Sequence, residues 1–224
     1  MYSIPGLDQI SLDRDRQSRR ILADVRQRRQ ELWGWVVYRT TYKSDPAFGK
    51  VIDIINSWIK QEVYRDMHTM GLQDADPTPN DELWARHRLT IMEDPERLNG
   101  ASIKDVRSHF ESWVEGQGMR DRWNKYRVCM MIDDEVLGLL VNEVPLAEEH
   151  KEMHGMDCVE EINTWYVKVI EAFPEADEGN EDYEGWMKCS LYTMVRLWSS
   201  MGDATNMVDF WYRIEDGDNG VYAY

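Results

Sequence analysis

Short segments rich in β-branched and aromatic residues alternate with segments of helical periodicity along most of this chain. The clearest segment of the first kind is 35–42, WVVYRTTY, whose composition suits a pleated and packed sheet. The clearest helix begins at Ser44-Asp45-Pro46, an N-cap followed by proline in the first turn, with apolar residues at i, i+3, i+4 and i+7 after it. Such a chain has to cover a sheet with helices.

The spacing of the predicted strands sets the expected fold class. We predict strands at 35–42, 89–92, 126–132, 164–172, 186–190 and 208–214. In the last two-thirds of the chain, strands follow one another without a crossover helix. This pattern favours an α+β fold with a mixed or antiparallel sheet over a doubly wound parallel sheet. We expect one or two ferredoxin-like units that share a sheet covered by helices.

An arginine-rich helix is predicted ahead of these elements. Apolar residues near helical spacing predict it over residues 11–33, and seven arginines coat the rest of its surface. We expect residues 1–33 to form an extra N-terminal helix and residues 34–224 to form a single α+β domain.

The formal net charge of −16 is concentrated in one insertion-like segment. Residues 143–184 hold fourteen acidic residues against two lysines. The simpler interpretation is a solvated surface that keeps a tryptophan-rich chain in solution. The alternative is an acidic face that docks the arginine-rich helix, within one chain or in a homodimer held by salt-sensitive ion pairs.

Composition and motifs exclude several classes of function. An acidic chain is a poor general nucleic-acid binder, because that affinity comes from lysine and arginine on phosphates. No apolar run approaches the roughly 18 residues of a membrane span. The three cysteines form no CxxC pair, which favours a reduced, cytoplasmic compartment. The chain lacks GxGxxG, GxxxxGK[ST] and GxSxG, so we expect no nucleotide cofactor and name no cofactor.

One pair of histidines has a spacing that is compatible with metal binding. His150 and His154 are four residues apart, with Cys158 a turn later, and helical i, i+4 histidines can share a metal. Lys151 stands where the HExxH motif needs its glutamate, and Gly155 limits the helix. A solvated acidic loop is the simpler interpretation, and we name no metal ligand.

Polar residues within or just after apolar strands are the candidate site. These residues are Tyr38, Arg39, Glu93, Asp94, Asp133, Lys188 and Tyr212. Charges are rarely buried unless paired, so they form cross-strand ion pairs and strand-end caps, or they line a polar and aromatic pocket that binds small molecules. Each of the ten tryptophans either fills the core or lines a cavity. Side chains alternate between the two faces of a strand, so the tryptophans on predicted strands can face a cavity, and these are Trp35, Trp165, Trp186 and Trp211.

Several of these segments resemble a large group of uncharacterised proteins from filamentous fungi. The resemblance is carried by WGWVVYRTTY at 33–42, RLTIMED at 88–94, NGAS at 99–102, GWMK at 185–188 and FWYR at 210–213. It spans roughly residues 33–214 and is weakest over the acidic segment. It implies a fungal, intracellular protein of specialised metabolism, and it carries no assigned activity.

We therefore expect a small-molecule-binding protein or a cofactor-independent enzyme that acts on an apolar or aromatic metabolite. The seven strand-borne residues would supply its orienting and acid–base groups. The alternative is a protein-interaction or dimerisation module that uses the acidic surface and the basic helix.

Overall fold

Six strands form one mixed sheet in the computed structural model of the protein, which describes residues 17–68, 76–120, 122–148, 164–174, 182–201, 205–214 and 219–223. The strands are β1 (Val36–Arg39), β2 (Thr90–Met92), β3 (Val128–Ile132), β4 (Tyr166–Glu171), β5 (Trp186–Ser190) and β6 (Val221–Tyr222). The helices are α1 (Gln17–Gln27), α2 (Asp45–Tyr64), α3 (Thr78–Ala85), α4 (Pro95–Leu98), α5 (Ile103–Gly116), α6 (Asp134–Glu143), α7 (Met194–Ser200) and α8 (Val208–Trp211).

The strand order is β2-β1-β3-β4-β5-β6, and β4 alone runs against the other five strands. From β1 the chain passes to β2 through α2 and α3, and then returns across β1 to β3 through α4 and α5. The carboxyl ends of β1 and β3 therefore flank a topological switch point. In open sheets of this kind, ligands bind in the crevice beside such a point.

Alternation along the strands gives the sheet two apolar faces. Val37 and Ile132 belong to the larger core, which is covered by α1, α2, α3, α6 and α7. Val36 and Met131 belong to a smaller core beneath α4 and α5. Strands β1 and β3 are thus buried on both faces, as interior strands of a parallel sheet require, whereas the edge strand β2 is half-buried.

The helix start that the sequence predicts at Ser44 is confirmed, and side chains also cap the starts of two further helices. The Ser44 side chain caps α2, and Ser102 with Asp105 forms a capping box at the start of α5. Asp133 caps α6 by accepting the backbone N–H of Val136 at 3.0 Å. These side-chain caps therefore define where α2, α5 and α6 begin.

Gly34 allows the entry to β1 to lie close to a neighbouring segment. Its φ of +134° is one that side-chain-bearing residues avoid. A Cβ at this position would collide with the carbonyl oxygen of Arg88. The close approach lets Trp33 and His87 form a parallel bridge that extends the β1–β2 pairing.

Three expectations about the sheet require correction. The mixed sheet of an α+β chain is present, but a ferredoxin-like arrangement is not, because helices separate β2 from β3 and both strands are parallel to β1 on its opposite sides. The predicted strand at 208–214 is wrong: Val208–Trp211 is the short helix α8. The predicted strands also end too early, because the last strand is β6, beyond residue 214.

Helix α1 packs in the larger core, and the described part of the acidic segment contributes a strand to the sheet. Of the helix predicted over 11–33, residues 17–27 form α1, and the helix ends at Gln27 rather than at residue 33, while residues 11–16 lie outside the described part; Ile21, Leu22 and Val25 lie in the larger core. The acidic segment 143–184 contains β4, which is an interior strand. Among the described helices, none combines the length and the apolarity that crossing a bilayer requires.

Candidate small-molecule site

Arg39 ends β1 at the carboxyl edge of the sheet and is fully paired there. Its Nη2 lies 2.5 Å from Asp45 Oδ1, and its Nη1 lies 3.2 Å from Glu93 Oε1. The guanidinium carbon is 4.6 and 4.5 Å from the ring centroids of Tyr42 and Phe48. Burial alone would lower the pKa of Arg39, but its hydrogen bonds to the two carboxylates raise it. Arg39 therefore fastens β1 to the start of α2 and to the end of β2.

Other polar groups at this edge also fasten loops. Asp94 caps α4 by accepting two backbone N–H groups, and its own N–H donates to the Tyr42 hydroxyl at 2.9 Å. Asp134 accepts hydrogen bonds of 2.5 Å from Thr41 and from Lys43. These contacts are the strand-end caps and ion pairs that the simpler interpretation predicts.

A second charged group lies where β4 and β5 reach the same edge. Lys168 of β4 is buried, and its Nζ donates to Asp133 Oδ2 at 2.5 Å and to Glu135 Oε2 at 2.6 Å. Tyr166 donates to Glu135. Lys188 of β5 has its Nζ 3.5 Å from Glu135 Oε1 and 4.3 Å from the centroid of the Tyr166 ring. We call Asp133, Glu135, Tyr166, Lys168 and Lys188 the lysine cluster.

The pKa shifts within the lysine cluster all lead away from neutrality. Hydrogen bonds from Lys168 and Tyr166 lower the pKa of Glu135 to about 2. Burial and the hydrogen bond to Glu135 raise the pKa of Tyr166. Burial alone would lower the pKa of Lys168, but hydrogen bonds to Asp133 and Glu135 raise it. A general acid or base works best with a pKa near the working pH, so these groups suit orientation rather than proton transfer.

A cleft of about 300 Å³ opens beside the lysine cluster. Residues that line it include Asp182, Glu184, Trp186, Lys188, Trp211 and Asn219. Trp186 Nε1 donates to Glu184 Oε2 at 2.9 Å, which holds the indole in place, and the Trp211 ring lies 5.7 Å from that of Tyr183. Its volume is at the lower end of those typical of small-molecule sites, and aromatic walls with a few polar groups are their usual lining. We call this space the tryptophan cleft.

Another cleft is larger but chemically poorer. It has a volume of about 580 Å³ and lies between α2 and residues 144–146. Lys50 and Asp53 supply its charged groups, and no aromatic side chain lines it. The tryptophan cleft is therefore the better candidate among the described residues.

The structure brings five of the seven predicted site residues to the carboxyl edge or to the lysine cluster. Arg39, Glu93 and Asp94 belong to the edge, and Asp133 and Lys188 belong to the lysine cluster. The ion-pair interpretation therefore describes Arg39 and Lys188. Their role toward a ligand remains a prediction.

The two predicted tyrosines lie elsewhere. Tyr38 is fully buried beneath α5, and its hydroxyl is 2.9 Å from His109 Nδ1; burial raises its pKa. Tyr212 follows α8 and is 57% exposed. The strand predicted over 208–214 would place Tyr212 in the sheet, but Val208–Trp211 is helical. Its neighbour Trp211 is the residue that lines the tryptophan cleft.

Sequence reasoning missed Lys168, Glu135 and Tyr166. Lys168 interrupts the apolar run of β4 just as Lys188 interrupts β5, and the two residues face each other in the register of these strands. The criterion that selected Lys188 would have selected Lys168 too. Glu135 carries no such signal, because only the fold brings the start of α6 to β4.

Metal binding has no candidate in the part of the chain that the structure describes. No group of three or more His, Cys, Asp or Glu residues there is arranged to hold a metal ion. His150, His154 and Cys158 lie outside the described residues. Cys129 and Cys189 are free and buried.

Comparison with known proteins supplies no relative from which a ligand can be inferred. No protein-family model, no curated protein and no solved structure matches the chain.

Proposed function

We propose that this protein binds a small molecule with a flat apolar or aromatic ring, and that the tryptophan cleft is the binding site. The observation that carries the proposal is the pairing of two indole side chains, Trp186 and Trp211, with the ammonium group of Lys188 around one cleft. Flat apolar rings gain from stacking on indoles, and a single charged group fixes their orientation.

Binding is a better-supported activity than catalysis at this site. Within the lysine cluster beside the cleft, Glu135, Tyr166 and Lys168 are each held in their ordinary charge state at neutral pH. Their hydrogen bonds to one another also use the atoms that would meet a substrate. We infer that the lysine cluster supports the cleft wall and sets its charge.

Two flat probes test the proposal: indole and 2-naphthol, titrated into the protein by calorimetry. We expect both to bind, and we expect Trp211→Ala to weaken binding about tenfold, the equivalent of about 1.4 kcal/mol of lost ring contact. Trp84→Ala is the matched control, because this partly buried indole of α3 stacks on His87 and does not line the cleft. Absence of binding by either probe, or equal losses in the two variants, would overturn the proposal.

The alternative, an interaction or dimerisation module, has weaker support. Arg26 of α1 forms an ion pair with Glu82 of α3. One of the arginines that this alternative pairs with the acidic segment is therefore paired with a different part of the same chain. Arg20 of α1 is exposed and keeps this alternative open to test. A dimer in sedimentation experiments that dissociates as salt rises would favour it, because exposed ion pairs are screened. A monomer at all salt concentrations would contradict it.

The cellular setting belongs to the same proposal. We propose a cytoplasmic protein of fungal specialised metabolism that does not act as a nucleic-acid binder. The resemblance to fungal proteins, the free cysteines and the net charge of −16 support this setting.

A further inference from the structure

The tryptophan cleft carries opposite charges along the direction of β5. Asp182 and Glu184 precede the strand, and both are exposed. Trp186 opens the strand, and Lys188 follows two residues later, on the same face of the sheet. A ligand that lies over the Trp186 ring therefore meets carboxylates on one side and an ammonium group on the other.

The ammonium group of Lys188 is available to a ligand in a way that Lys168 is not. Lys168 donates two short hydrogen bonds and its side chain is 9% exposed. The Lys188 side chain is 29% exposed, its closest carboxylate contact is the 3.5 Å pair with Glu135, and its Nζ donates no hydrogen bond to a described residue. An ammonium group has three N–H donors, so Lys188 can donate hydrogen bonds to a carboxylate or another anionic group of a ligand.

The acidic side of the cleft suits a cationic group. Glu184 is fixed by the hydrogen bond from Trp186 Nε1, which holds its carboxylate beside the edge of the indole ring. A cation at this position gains from the carboxylates and from the faces of nearby indoles. The two carboxylates outnumber the one lysine among the named lining residues, and the whole chain is strongly acidic. The cationic end of a ligand is therefore the end that long-range electrostatics favours.

We propose that the ligand of the tryptophan cleft is an elongated zwitterion: a flat ring with an ammonium group at the end near Asp182 and Glu184, and a carboxylate at the end near Lys188. This inference rests on the proposed function, since it names the chemical class of molecule that the same cleft accepts. The Cα atoms of Trp186 and Lys188 are about 7 Å apart along an extended strand. This distance is comparable to the length of one substituted benzene ring.

A matched series of benzene derivatives tests the inference: 4-(aminomethyl)benzoate, benzylamine, benzoate and toluene. They share one ring and differ in which charges they carry. We expect 4-(aminomethyl)benzoate to bind at least about fivefold tighter than benzylamine, which in turn binds tighter than benzoate, with each exposed charge contact contributing a small factor of this order. Calorimetry or ligand-observed NMR at low salt gives the affinities.

Variants at the two ends separate the two charge contacts. Lys188→Met should reduce the affinity for 4-(aminomethyl)benzoate to that for benzylamine or below it, without weakening benzylamine, and Lys188→Arg should restore the difference. Asp182→Asn should weaken benzylamine and 4-(aminomethyl)benzoate alike, and leave toluene unchanged. The melting temperature of each variant shows that it is folded.

The outcomes distinguish the inference from the function on which it rests. If indole and 2-naphthol bind and the zwitterion binds no tighter than the singly charged compounds, the inference is wrong and the proposed function stands. If no ring compound binds the wild-type protein, both are wrong.

Discussion

Glu62 is a buried carboxyl group near the end of α2, and its surroundings penalise its charge. Its side chain is 3% exposed, and burial raises its pKa to about 8, although Arg65 and Arg196 oppose this shift. Cys189 of β5 also faces it. Because the folded state keeps this proton to a higher pH than the unfolded chain does, the free energy of unfolding falls as pH rises from about 4.5 to about 8.

Glu62→Gln should therefore stabilise the protein at alkaline pH. We expect the free energy of unfolding to match that of the wild type near pH 5, where Glu62 is largely protonated in the folded state, and to exceed it at pH 9 by on the order of 2 kcal/mol or more, since one pKa unit corresponds to about 1.4 kcal/mol. Urea unfolding at the two pH values measures the difference. Glu143→Gln, at the exposed end of α6, is the control, and we expect its free energy of unfolding to differ from that of the wild type by less than about 0.5 kcal/mol at both pH values. A gain of equal size at both pH values would contradict the assignment.

At the scale of elements, one lysine joins the start of α6 to an interior strand. Lys168 of β4 pairs with Asp133, the N-cap of α6, and with Glu135 in its first turn. The Lys188 contact with Glu135 extends the connection to β5. The low pKa of Glu135 has this hydrogen bond from Lys168 as its largest cause. The stability that Glu135 contributes is therefore present above its unfolded-state pKa and is lost as pH falls toward about 2.

Lys168→Met should return the pKa of Glu135 toward its ordinary value and destabilise the protein by about 1–3 kcal/mol, less than a fully buried pair because both carboxylates are partly exposed. Lys188→Met is the matched comparison on the next strand. It should cost less than about 1 kcal/mol and change the Glu135 pKa less, because its contact is longer and more exposed. Carboxyl NMR titration and urea unfolding measure both effects. Equal pKa changes in the two variants would show that Lys168 is not the dominant partner.

The strands were predictable from the sequence, but their order was not. Strands β1 to β5 lie inside predicted strand segments, because β-branched and aromatic residues concentrate there. The sequence does not predict helix α3, because its first residues, Thr78-Pro79-Asn80-Asp81, are typical of a turn. Asn80 in this helix is buried and donates hydrogen bonds to Val63 O and to the side chain of Asp66. The local sequence, which contains proline and resembles a turn, does not reveal these tertiary contacts.

Helix α8 shows how tertiary contacts override a local pattern. Residues 208–214 have strand-like composition, yet the N–H of Met207 donates to the buried carboxylate of Glu171 at 2.9 Å and a helical turn follows. The candidate site is likewise only partly predictable from the local sequence. Alternation identified Lys188, but Glu135 and the cleft-lining Trp211 depend on contacts between distant segments.

At the scale of the whole molecule, the charge is separated less cleanly than the sequence suggests. Glu171 and Lys168 lie within the acidic segment 143–184, yet both are buried in β4. Tyr183 donates to Glu171 at 2.8 Å, so this acidic residue is a structural hydrogen-bond acceptor rather than part of a solvated face. The acidic total of −16 therefore includes charges that hold the sheet to its connections.

The arginine-rich helix α1 is likewise part of the common core. Leu22 is 3% exposed and packs in the same apolar cluster as residues of β1 and β3. Ser18 donates to Val63 O of α2 at 2.6 Å, and Arg26 pairs with Glu82 of α3. Burial of this kind couples the stability of a helix to that of the sheet beneath it, so α1 and the sheet should unfold in one transition.

Leu22→Ala tests this coupling. We expect it to lower the global free energy of unfolding by about 2–4 kcal/mol, because the substitution removes buried methyl groups and leaves a cavity. Urea transitions followed by far-ultraviolet circular dichroism and by tryptophan fluorescence should coincide and shift together. Arg20→Ala, on the exposed side of the same helix, should change stability by less than about 0.5 kcal/mol. If α1 were instead an independent appendage, Leu22→Ala would reduce the helical signal and leave the fluorescence transition where it is in the wild type.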